Sequence, residues 1–309
     1  MQDFENSIIQ TLAYFDLFDH PLTKEELFRY LWNPSKGLSY EDFLDKLSDL
    51  EYVQNKQGFL FLKGREKIIT ERQRRVKLIE EKMKVAVCGI KKLRWIPFVR
   101  SVFACNTVAS AVAEGDSDID VFIVIKKGRM WLSRMLVTLT LSLFKLRRTK
   151  NKIKNKICLS FYVTDDNLNI EDVSIDGSDI YLVYWLSQLV PLYDRDNLFE
   201  SIQKANSWIK KFTPYAFQQY DLLHRWRVED TKLSQTVKNI FERMWGGAYG
   251  NMIEKQAKGI QLSKMKRNFG SVQEKDDSRV IISDSMLKFH ENDRRVEYRE
   301  SWKIKCDSF

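Results

Sequence analysis

Residues 103–125 read FACNTVASAVAEGDSDIDVFIVI, with Asp118 and Asp120 one residue apart and five apolar residues directly behind them. A short run of Val, Phe and Ile bounded by a polar turn predicts a buried strand. Along a strand, residues i and i+2 point to one face. Asp118 and Asp120 therefore project together while Ile119 enters the core. Two neighbouring ionised carboxylates repel, so the pair needs solvent, hydrogen bonds or a cation. A divalent ion meets that need: Mg²⁺ takes one or two carboxylates and fills its other positions with water and phosphate oxygens. The bland alternative is a turn in which aspartate bonds the backbone ahead of a strand.

The surroundings favour the metal. FVRSVFA before the pair reads as a strand, CNTVASAVAEGDS as a small-residue helix and turn, GRMWLSRMLVTLTLSLFKL as an apolar helix, and KICLSFYV as a further strand. Upstream, residues 1–64 read as three short helices and a β-hairpin. Thr23 and Glu26 form a capping-box pattern, Ser39 caps the third helix, and Asn55-Lys56-Gln57-Gly58 marks the hairpin turn. That order resembles a winged helix. Its third helix carries Glu41, Asp42, Asp45, Asp49 and Glu51 against a single base, Lys46, which suits protein docking better than DNA. Residues 65–95 read as one connecting helix, with Ile69, Val76, Met83 and Ile90 every seventh position. Residues 179–264 read as helical, and 265–309 as a charged, extended or partly ordered tail broken by RVIISDSMLKF and YRESWKI.

The central segment, 96–178, resembles the nucleotidyltransferase superfamily of the DNA polymerase β type. That motif is an apolar strand, Gly-Ser, about ten residues, then Asp-x-Asp opening an apolar strand, and SDIDVFIVI matches its second half. IPFVRSVFA, GRMWLSR, KICLSFYVT, PLYDRD, ANSWIKKFTP, LSKMKRN and FHENDRR extend the likeness to bacterial nucleotidyltransferase-domain proteins with an N-terminal winged-helix-like module. The resemblance implies an α/β fold: an α+β nucleotidyltransferase core with a small mixed sheet, an N-terminal winged-helix-like module and a C-terminal helical region. It implies Mg²⁺ on Asp118 and Asp120, a nucleoside triphosphate, and transfer of a nucleoside monophosphate to a nucleic-acid, protein or small-molecule hydroxyl. The candidates for nucleotide binding are Cys105, Asn106, Thr107 and Ser117 at the motif, and Lys126 just after the metal strand, where the other reading is a solvated loop. Two departures stand out. Cys105-Asn106 falls where Gly-Ser is expected, and on KICLSFYV the third carboxylate of active members is replaced, with Ser160 at the matching position. Asp165 and Asp166 follow that strand and would have to reach back. The expected enzyme is therefore weak or partner-dependent, with a non-catalytic nucleotide- or RNA-binding protein as the alternative.

Composition sets the remaining bounds. The chain has 309 residues and a hydrophobic fraction of 44%, enough for a sizeable soluble core. Its formal charge of +9 is uneven: residues 145–156, KLRRTKNKIKNK, hold seven Lys or Arg and no acid, which suits a polyanionic partner or a solvated face. Cys88, Cys105, Cys158 and Cys306 form no CxxC pair, so the expectation is reduced thiols and a cytoplasmic protein. No basic start precedes an apolar run at the N-terminus, so no signal peptide is expected. The longest apolar stretch, MWLSRMLVTLTLSLF, is broken by Arg134 and too short to span a bilayer.

Overall fold

The computed structural model describes residues 2–47, 50–217, 222–273, 279–290 and 292–309. Ser48 and Asp49 of the expected third helix, residues 218–221, and residues 274–278 and 291 of the expected tail lie outside them.

The chain opens with α1 (Gln2–Asp16), α2 (Lys24–Arg29) and α3 (Tyr40–Leu47), then the hairpin β1 (Val53–Lys56) and β2 (Phe59–Leu62). The capping box is present: Thr23 Oγ1 accepts from the Glu26 N–H at 3.2 Å, and Glu26 Oε2 from the Thr23 N–H at 2.8 Å. The hairpin turns on Gln57 and Gly58, at φ 54° and 81°. A two-residue turn of this kind needs left-handed backbone at both positions. α4 (Ile68–Leu93) follows; Met83, Ala86, Ile90 and Leu93 are buried, whereas Val76 of the seven-residue row is exposed.

The central sheet is built from β3 (Val99–Ala104), β4 (Ile119–Ile125), β5 (Ile157–Thr164), β6 (Val190–Asp194), β7 (Val280–Ile282) and β8 (Met286–Phe289). Among the described residues its order is β6-β3-β4-β5-β8-β7. β4 and β5 run parallel, and every other pairing is antiparallel. The short α5 (Asn106–Ala109) links β3 towards β4, and α6 (Met130–Leu143) crosses from β4 to β5. One face of the sheet, with Phe103, Phe122 and Phe161, packs with α1, α7 (Ile180–Ser187) and α8 (Leu198–Ala205). The other, with Val121, Ile123 and Tyr162, packs with α4, α6 and α10 (Ala248–Gln273). Alternation of side chains along each strand makes this two-faced core.

Between α8 and α10 lies α9 (Lys232–Met244). The buried Lys238 of α9 donates to Val99 O at 2.9 Å and Tyr193 Oη at 2.6 Å, which ties it to β3 and β6. The helices α9 and α10 break at Trp245-Gly246-Gly247, where Arg129 donates to the carbonyls of Trp245 and Gly246.

Two segments differ from expectation. VPLYD, inside the stretch read as helical, is the edge strand β6. The stretch read as a charged tail completes α10, adds β7 and β8 to the sheet, and ends in α11 (Arg295–Cys306). Trp302 of α11 is buried and donates to Gln10 O at 2.8 Å, and Arg295 pairs with Asp179 at 2.7 Å. The apolar residues of the charged segment anchor these elements, since burying their surface is favourable: Val280, Met286, Leu287 and Trp302 are buried.

Candidate functional site

Asp118 and Asp120 sit at the start of β4, on the face that carries Phe122 and Val124. The turn before them is stapled in place. Ser117 O accepts from Lys82 Nζ at 2.7 Å and from the Asn155 N–H at 3.2 Å, and the Ile119 N–H donates to Lys156 O at 2.8 Å. The basic segment 145–156 is thereby fastened to the mouth of the aspartate pair.

What faces the pair from β5 depends on an irregular register. Asp120 lies opposite Cys158 and Phe122 opposite Phe161, so β5 holds one extra residue between them. Such a bulge re-aims the side chains around it. Phe161 packs on the aspartates' face and Ile157 on the opposite one. Cys158 and Ser160 therefore both reach Asp120. Ser160 Oγ donates to Asp120 Oδ1 at 3.5 Å. One oxygen each from Asp118 and Asp120 and the Cys158 Sγ lie within 4.8 Å of one another. Ligands with bonds of about 2.0–2.3 Å to one tetrahedral ion sit about 3.3–3.8 Å apart, so donor atoms within that 4.8 Å bound are near enough for a small shift to bring them onto one cation.

The electrostatics follow from burial. Asp120 has its carboxyl pushed up to about 6 by loss of water and by the Asp118 charge, partly offset by hydrogen bonds from Asn106 and Cys158 and by Arg148. Burial, then the two aspartates, raises the Cys158 thiol. Arg148 supplies the counter-charge: its Nε lies 2.8 Å from Asp118 Oδ2, and its Nη1 donates to Cys158 Sγ at 3.7 Å. Among the described residues no basic side chain forms an ion pair with Asp120 itself.

The other expected site residues fall in two groups. Cys105, Asn106 and Ser117 lie beside the pair, and Thr107 lines a neighbouring cavity. The Cys105 N–H donates to Asp120 O at 3.2 Å, and the Cys105 side chain is buried in the core with extended backbone, φ −141°. The left-handed residue is Asn106, φ 53°, a conformation that asparagine tolerates better than most. The bulk of Cys105 is thus absorbed by the core. Asn106 Oδ1 accepts from Tyr181 Oη at 3.3 Å and borders two cavities. One, of about 220 Å³, includes Thr107, Ser110 and Arg75. The other, of about 200 Å³, includes Lys288, His290 and Arg295. Asp118 and Asp120 line neither.

Lys126 lies beyond the far end of β4, six residues from Asp120, or about 20 Å along the strand. Lys127 is at that end too, with its Nζ 2.8 Å from Asp166 and its N–H donating to Asp165. Neither Asp165 nor Asp166 reaches back to the pair. Arg129 is spent on α9–α10 carbonyls, Arg134 bonds Gln261, and Trp131 is core. Two residues escaped the sequence reading as parts of the site. Cys158 read as an ordinary buried thiol, and Arg148 as one charge in a basic run. No family model, curated protein or solved structure matches the chain.

Proposed function

We propose that this chain is a divalent-cation-dependent nucleotidyltransferase, with a core of the nucleotidyltransferase type and an N-terminal module of the winged-helix type. The observation that carries the reading is Asp120: a half-buried carboxylate with no ion pair of its own among the described residues, beside Asp118 at the start of a core strand. A partly desolvated carboxylate beside a second one is costly unless a cation shares it, and Arg148 pairs with Asp118 alone. Asp118 and Asp120 hold the ion. The Asn106 amide and the Thr107 hydroxyl, beside the cavities, serve the phosphates of a nucleoside triphosphate. Mg²⁺ is the ion the resemblance implies; when bound it would neutralise phosphate charge and orient the leaving pyrophosphate. The acceptor hydroxyl loses its proton to solvent, its oxygen bonds to the α-phosphorus, the bond from that phosphorus to the bridging oxygen breaks, and pyrophosphate leaves. The basic segment 145–156, fastened to the same mouth, favours a polyanionic acceptor such as nucleic acid.

A second reading, a nucleotide-binding protein without catalysis, is favoured by the place of Asp165 and Asp166 at the wrong end of the sheet. One experiment separates the two. Incubation with α-phosphate-labelled nucleoside triphosphates and cellular RNA or protein should label an acceptor and release pyrophosphate, and Asp118→Asn should abolish both. Triphosphate binding without label transfer under any metal would give the second reading the lead.

A further inference from the structure

We infer that Cys158 is the third ligand of the aspartate site, and that the site therefore takes a thiophilic divalent cation of the zinc class in preference to Mg²⁺. The inference deepens the proposed site but does not depend on turnover.

Three observations carry it. The β5 bulge turns Cys158 onto the aspartates' face; continuing the alternation of Phe161 without it would place the apolar Leu159 and Ile157 there. The donor atoms of Asp118, Asp120 and Cys158 converge within 4.8 Å, and no other trio of His, Cys, Asp or Glu does so among the described residues. A cationic group already bridges two members, since the Arg148 guanidinium touches both Asp118 and Cys158. The half-buried Asp120, by contrast, has no ion pair among the described residues.

The donor set decides the metal. Carboxylates accept Mg²⁺ and Zn²⁺ alike, but thiolate sulfur selects the softer ion, and Mg²⁺ demands near-octahedral oxygen. Two carboxylates and one thiolate leave a fourth position open, the pattern of zinc sites that also receive a substrate or water. On binding, the Cys158 S–H bond breaks, its proton passes to solvent and an Sγ–metal bond forms, with no change of oxidation state. Arg148 gives up its contact with Asp118 as the doubly charged ion arrives.

The test uses the full chain carrying Cys88→Ser and Cys306→Ser, which removes the exposed and the half-buried thiol. Titration with Co²⁺, a spectroscopic stand-in for Zn²⁺, should raise a near-ultraviolet thiolate-to-cobalt charge-transfer band that saturates at one equivalent. Cys158→Ser should abolish the band and weaken Zn²⁺ binding by at least about 10- to 100-fold. Asp118→Asn should also abolish the band, and Cys158→Asp should turn the preference towards Mg²⁺. Asp118-dependent Mg²⁺ binding with no sulfur band would overturn the inference while leaving the nucleotidyltransferase reading intact. A sulfur band without triphosphate binding would uphold the inference and sink that reading instead.

Discussion

Half-buried beside the Asp118 charge, Asp120 has its carboxyl pushed up to about 6. The folded value lies above the unfolded one, so between about pH 4 and 6 the folded chain binds more protons than the unfolded chain. Stability falls as pH rises through that window, and the penalty is complete above it. Without metal, Asp120→Asn should therefore be more stable than wild type at pH 7.5, by on the order of 1–3 kcal/mol, and the gap should close near pH 4. Urea melts at the two pH values check this. A variant no more stable than wild type at pH 7.5 would mean the carboxylate is already satisfied. At this scale the pair itself was legible, because i and i+2 share a face whatever surrounds them. Cys158 was not, since one extra residue in β5 reverses the alternation that a sequence reader must assume. Arg148 was one of seven bases in its segment, and only the fold singles it out.

Single elements show the same division. The hairpin, α2, α4, α6 and the strands β3, β4 and β5 announced themselves through periodicity and turn residues. β6 did not, since VPLYD is short and contains Pro191. Proline is tolerated there because β6 is an edge strand. β7 and β8 span three and four residues, too few for a periodic signal. The expected tail is nevertheless structural. Trp302→Ala in α11 should cost about 3–5 kcal/mol, the usual loss for a buried tryptophan, because its ring packs in the cluster that joins α1 and α7. A loss under about 1 kcal/mol in thermal or urea unfolding would mean α11 is peripheral. Thr23→Ala should cost about 1 kcal/mol through the lost α2 cap, with triphosphate binding unchanged.

Across the whole molecule, the N-terminal elements are continuous with the sheet. One hydrophobic cluster holds Trp32, Trp185 and Trp302, and Tyr14 stacks on Tyr184 with centroids 4.3 Å apart. Unfolding followed at a lone Trp32 and at a lone Trp185, each in a variant with the other tryptophans replaced by phenylalanine, should give coincident transitions. An earlier transition at Trp32 would show that residues 1–64 unfold separately. No helix among the described residues is long and apolar enough to cross a membrane. The six-stranded mixed sheet holds the aspartates at a fixed end of β4, and the central claim is that this end binds a metal-bridged triphosphate. Thermal unfolding tests it most directly. Wild type and Asp118→Ala/Asp120→Ala are melted with each nucleoside triphosphate, alone and with Mg²⁺, Mn²⁺ or Zn²⁺. Ligand at about a hundred times its dissociation constant adds about 2.7 kcal/mol, a rise of several degrees. A metal-dependent rise in wild type that the double variant loses is the predicted result. No rise with any nucleotide and metal, or an equal rise in the double variant, would contradict the account.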